Sequence, residues 1–184
     1  MRAVYLAPVA EEADYELTGA ESTLLMAATQ DAAAAAGALG GSLGGAIGGG
    51  IGGGLAGAAG GRAGGRKGGA FGGRLGARFL KAQTATATVE VSHDPEAARE
   101  RARGVIAESG AVIEDPNAAG DGSVWGFVGS GAMNMAPALV RVHFEPSASG
   151  GSRVQVRATG QEGLVKQKIG AGAADRIAEA ISQD

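Results

Sequence analysis

At 184 residues the chain has room for one ordinary domain with an appendage, or for two small units. Glycine fills 35 positions while the aromatics amount to 4 Phe, 2 Tyr and 1 Trp, too few large side chains for one core along the whole length. Cysteine is absent, which excludes disulfides, iron–sulfur ligation and thiolate zinc; His93 and His143 are the only imidazoles and lack a ligand spacing, so neither a catalytic nor a metal site is expected.

The net charge of −3 conceals a segregated pattern. Residues 1–36 carry one basic and six acidic groups, residues 62–81 carry six basic groups (Arg62, Arg66, Lys67, Arg74, Arg78, Lys81) and no acid, and the remainder is mixed. No nucleic-acid partner follows from this balance. The N-terminus has Arg2 but no proper apolar core with a small-residue cleavage site, so a standard export signal is not expected.

In chain order, residues 1–36 read as a docking segment and helix. Arg2–Pro8 is a short extended candidate in which Val4, Tyr5, Leu6 and Val9 suit docking on another protein or packing on their own chain. A helix is expected from about Glu21, with Leu24, Leu25, Ala28 and Ala32 on one face.

Within the Gly-rich segment 37–81, the residues from Leu39 onward parse into tetrads without an insertion: LGGS LGGA IGGG IGGG LAGA AGGR AGGR KGGA FGGR LGAR. The first position holds Leu39, Leu43, Ile47, Ile51 and Leu55, followed by Ala59, Ala63, Lys67, Phe71 and Leu75, while Gly41, Gly45, Gly49 and Gly53 occupy the third. A period of four places one residue type on one helical face. Propensity opposes that helix, because residues 37–76 hold 21 glycines and each costs about 0.8–1 kcal/mol relative to Ala. Close backbone approach along small-xxx-small ridges is the compensation, so the tetrads predict Gly-zipper helix association, in cis or in trans. The stripe drifts about 40° per tetrad, which favours several neighbours or a bend, with Gly60–Gly65 as the candidate bend. A disordered linker and a membrane span through the uncharged residues 32–61 are the competing readings; against the span, only five bulky apolar side chains occur in that run.

Residues 82–184 read as a β-α-β-β-β-β-α domain. Strands are expected at Thr84–Ser92, Ala111–Glu114, Ser123–Ser130, Ala138–Glu145 and Arg153–Thr159. One helix starts at Asp94-Pro95-Glu96 and ends at Gly110; another spans about Gly170–Ser182 with Ala173, Ala174, Ile177, Ala178 and Ile181 inward. The series Glu96, Arg99, Glu100, Arg101, Arg103 reads as a solvated helix face, and His143 as a surface residue beside Arg141 and Glu145. Trp125, Phe127, Val128, Met133, Met135 and Leu139 form the richest apolar group, either a lipophilic ligand surface or plain core. The fold class is α+β: Gly-zipper helices followed by a curved antiparallel sheet holding helices. The C-terminal layout resembles the TATA-box-binding-protein-like and helix-grip families.

The whole, a Gly-rich N-terminal half joined to a small β-rich domain in an Ala/Gly/Arg-rich chain, resembles the scaffold and membrane-stalk subunits of the actinobacterial high-affinity uptake nickel–iron (NiFe) hydrogenases. The resemblance lies in layout and composition, without a short diagnostic motif. It implies a homo-oligomer, expected to be a tetramer, that is interlinked through Leu39–Phe79 and engages the hydrogenase large and small subunits through Arg2–Met26. It also implies a peripheral position on the cytoplasmic face of the membrane and menaquinone channelled past Trp125, Phe127, Met133, Met135 and Leu139. A Gly-zipper membrane protein with a cytoplasmic ligand-binding domain is the alternative.

Overall fold

The computed structural model describes residues 10–12, 15–77, 80–117, 120–130, 134, 136–148, 150–162 and 167–183. The docking candidates Val4, Tyr5, Leu6 and Val9, together with Met133 and Met135, lie outside the described residues. In chain order the elements are β1 (Glu11–Glu12), α1 (Gly19–Ala77), β2 (Lys81–Val91), α2 (Pro95–Ser109), β3 (Gly110–Ile113), β4 (Val124–Ser130), β5 (Ala136–Pro146), β6 (Ser152–Glu162) and α3 (Ile169–Ser182). The class is α+β, with one open antiparallel sheet. The chain divides into two compact units, one holding residues up to Leu25 together with Lys81 onward, the other Met26–Leu80.

The first unit is built on the sheet, in the order β1-β2-β6-β5-β4-β3 with every neighbour antiparallel. Strand alternation sorts the side chains onto two faces. One face presents Ala87, Val89, Val128, Ala138, Val140, Val142, Val154, Val156 and Ala158 to α2 and α3, which add Ala98, Ala102, Ile106, Ala173, Ala174, Ile177, Ala178 and Ile181. Alanine and valine predominate, so the helices sit close to the sheet, and the core is filled by many small contacts instead of a few aromatics.

Local chemistry fixes the helices. Asp94 is the N-cap of α2, accepting from the Glu96 and Ala97 amides at 2.9 Å each, with Pro95 following it in the first turn. At the other end Gly110 has φ 174°, an extended backbone, so it is not a left-handed cap. It is glycine because a Cβ there would overlap the Phe127 carbonyl across the β3–β4 pairing. At the start of α3 the preceding residue, Lys168, is left-handed and gives no side-chain cap; the buried Glu162 carboxylate accepts from the Ile169 amide at 2.6 Å in its place.

The Glu/Arg series on α2 is only partly solvated. Glu100 and Arg103 form an exposed pair at 3.8 Å. Arg101, however, donates to the Ile181 and Ala180 carbonyls at 2.8 and 3.3 Å, closing the C-terminal end of α3, and Arg99 donates to the Gly122 carbonyl at 2.9 Å while stacking over Phe144.

The second unit is a doubled-back helix. A Cβ on Gly37 would overlap the Gly69 carbonyl, and one on Gly73 would overlap that of Ala33, so backbones 32 and 40 residues apart in sequence touch. A straight helix would hold them about 48 and 60 Å apart. These contacts place the reversal between Gly37 and Gly69, a span that includes the candidate bend Gly60–Gly65. Gly69 and Gly73 hold the third tetrad position, and Gly37 and Ala33 continue that row backward. First-position residues stand about 200° around the helix from it, and Leu39, Phe71 and Leu75 are 63%, 67% and 42% exposed. The backbone at Gly41, Gly45, Gly49 and Gly53 and at Leu43, Ile47, Ile51 and Leu55 is helical. Among the described residues no helix is long and apolar enough to cross a membrane.

Candidate functional site

The sheet face opposite α2 and α3 carries the polar chemistry of the first unit. Register brings its residues into rows across the strands: Thr86, Arg157, Arg141 and Trp125 in one; Thr88, Gln155 and His143 in the next; Glu90, Arg153 and Glu145 beyond. Arg141 and Arg157 are direct cross-strand neighbours, an arrangement that costs energy unless each cation is answered.

Each is answered from outside the sheet. Asp121 pairs with Arg141, whose guanidinium also stacks 5.2 Å from the Trp125 ring centroid. Burial pushes the Asp121 carboxyl up, but hydrogen bonds from Ser123 and the adjacent Arg141 cation outweigh it and hold the group down to about 2. Glu21 meets Arg157 at 3.1 Å, and the same guanidinium lies 3.6 Å from the Tyr15 ring centroid. The Tyr15 hydroxyl donates to Glu21 at 3.0 Å; burial first, then the neighbouring Glu21 carboxylate, raises the phenol above its ordinary range against the opposing pull of Arg157.

Glu21 is positioned by its own helix start. Thr18 and Glu21 form a capping box: the Thr18 amide donates to the Glu21 carboxylate at 2.8 Å and the Glu21 amide to the Thr18 hydroxyl at 3.3 Å. The T-x-x-E spacing is the sequence signal for this start, and it moves the helix beginning from about Glu21 to Gly19. One turn on, Leu25 is completely buried on the same sheet face against Trp125 and Leu139, with Leu17, Ile113 and Phe127 packed around them. Of the apolar group read from the sequence, Trp125 and Leu139 are thus 2% and 3% exposed and Phe127 is partly buried, all beneath the strap Tyr15–Leu25, whereas Val128 alternates to the opposite face and packs in the core under α2 and α3. The Trp125 indole N–H is buried with no partner among the described residues.

Away from the strap the face is open. Thr88, Glu90, His143, Glu145, Arg153 and Gln155 line a concavity of about 370 Å³, and a smaller one of about 100 Å³ adjoins it between Arg141, His143, Gln155 and Arg157. Hydrogen bonds from Ser147 and Arg153 hold the Glu90 carboxyl below the ordinary carboxylate range. Ser123, His143 and Glu145 form a chain: Ser123 Oγ to His143 Nδ1 is 3.4 Å and His143 Nε2 to Glu145 Oε1 is 3.7 Å. Both gaps exceed the roughly 2.6–3.2 Å reach of an activated nucleophile. The Ser123 hydroxyl already accepts from Arg141 at 3.1 Å, and the Glu145 side chain is 59% exposed. The arrangement orders a polar surface without the close contacts of a hydrolytic triad. Among the described residues no group of three His, Asp or Glu is placed to hold a metal ion.

No protein-family model, curated protein or solved structure matches this chain.

Proposed function

We propose that the chain is a non-catalytic, self-associating scaffold. The observation that carries this reading is the division of labour in the hairpin: third-position small residues are consumed by the contact between its arms, whereas first-position Leu39 is left 63% exposed. From Ala32 to Gly61 the chain carries no charge, so first arms from several copies can pack through the row Leu39, Leu43, Ile47, Ile51 and Leu55 without repulsion.

By resemblance, the assembly holds the large and small subunits of a NiFe hydrogenase at the cytoplasmic face of the membrane and passes menaquinone between membrane and enzyme. The apolar patch of Trp125, Phe127 and Leu139 supports the quinone part. Leu17 and Leu25 occupy it, so a quinone must displace the strap to enter, and the unpartnered Trp125 N–H would then donate to its carbonyl. Affinity purification of the tagged chain from its native cells tests the reading. It predicts co-purification of both hydrogenase subunits with hydrogen-oxidising activity, and recovery of the chain without either subunit contradicts it.

A further inference from the structure

We propose that the second arm of the hairpin docks on an anionic lipid surface through the face formed by Arg66, Lys67, Phe71 and Leu75. This deepens, and rests on, the peripheral-membrane part of the reading above.

Lys67, Phe71 and Leu75 follow one another at intervals of four, on one stripe of the arm, and all three are exposed, as is Arg66 beside them. Gly69 and Gly73, on the far side of the same arm, are committed to Gly37 and Ala33, which leaves the stripe facing away from the hairpin contact. Between residues 32 and 81 the sequence carries six cations and no acid. A second copy brings the same cations and is repelled by this face. A nucleic acid would satisfy the cations but would leave Phe71 and Leu75 against its polar backbone. An anionic bilayer meets both demands, with headgroups at the guanidinium and ammonium groups and the acyl boundary at the two apolar side chains. With cations and apolar side chains on one stripe along its axis, the arm lies in the plane of the interface.

Co-sedimentation of the full chain with phosphatidylglycerol–phosphatidylcholine vesicles, and with pure phosphatidylcholine vesicles, tests this. Binding is expected to the anionic vesicles only, weakened about tenfold or more by high salt. Phe71→Ser with Leu75→Ser should lower partitioning about tenfold, and Arg66→Glu with Lys67→Glu should abolish it, while Gly72→Ala, which meets open space, leaves it unchanged. Hydrogen exchange on the unaltered chain gives a reading that does not depend on how the variants fold: amides 66–75 should gain protection when anionic vesicles are added. Equal binding to neutral vesicles, no new protection at 66–75, or preference for a single-stranded RNA competitor over the vesicles overturns the proposal. The solution mass of the chain is read separately, so loss of self-association with retained vesicle binding counts against the scaffold alone, and the reverse counts against the lipid face alone.

Discussion

The Glu21 carboxylate lies 3.1 Å from the Arg157 guanidinium, and its side chain is only 1% exposed. A residue in the first turn of α1 is thereby fixed to the middle of a sheet strand 136 positions away. The desolvation cost of such a pair is offset only when its remaining hydrogen-bonding positions are filled. Here Thr18 and Tyr15 fill them.

Removing one member of this pair should therefore cost more than a surface ion pair does. Glu21→Ala strands a cation among Arg141 and Tyr15 and opens the capping box, and is expected to destabilise the first unit by about 3 kcal/mol in urea unfolding. A double-mutant cycle with Arg157→Ala should return a coupling well above the roughly 0–1 kcal/mol of exposed pairs.

Leu25→Ala should uncover the sheet face beneath the strap. The side chain is fully buried, so the cost is expected at about 2–5 kcal/mol. Trp125 is the sole tryptophan and sits against Leu25, so its emission should shift to the red in the folded variant. An unshifted spectrum would mean that the patch is closed by something other than the strap.

The glycines of the hairpin fall into two chemical classes. Gly37 and Gly73 meet backbone carbonyls, so Gly37→Val or Gly73→Val should separate the arms and lower the helical circular dichroism. Gly68 and Gly72 meet nothing within 4 Å, so alanine there should stabilise the arm by about 0.8–1 kcal/mol each. Equal responses from the two classes would contradict the pairing through Gly37–Gly69 and Ala33–Gly73.

Asp121 predicts an acid limb in the stability curve. Its folded-state pKa, about 2, lies below the ordinary 3.8, so its contribution is fully present above about pH 4 and is lost as pH falls through 2. Because the pair is 25–29% exposed, the contribution is no more than about 2 kcal/mol after solvent screening. Asp121→Asn should flatten the curve between about pH 4 and 2 and leave the slope elsewhere unchanged.

The sequence made some of this legible and hid the rest for physical reasons. Alternation of Val and Thr in β2, the Asp94-Pro95 start of α2 and the inward Ala173, Ala174, Ile177, Ala178 and Ile181 of α3 are local signals, and the spans observed lie within a few residues of those read. The pairing of the arms is not local: near-identical tetrads fill the span between Gly37 and Gly69, so the sequence does not say which backbones meet. The strap was equally hidden. Leu25 was legible as one member of an apolar helical stripe, but its place over Trp125 depends on strand register and on Glu21 finding Arg157. Likewise the sequence placed His143 beside Arg141 and Glu145, while its approach to Ser123 and Gln155 follows from the pairing of β5 with its neighbours.

The central claim is that the hairpin closes its small-residue face within one chain and offers its uncharged apolar row to other copies. Native mass spectrometry of the purified full chain at micromolar concentration, with and without Leu39→Asp, tests it most directly. The account predicts a discrete oligomer for the unaltered chain, four copies if the hydrogenase resemblance holds, and a monomer of retained helicity for the variant. A chain that is monomeric throughout, or an oligomer indifferent to a carboxylate at residue 39, would contradict it.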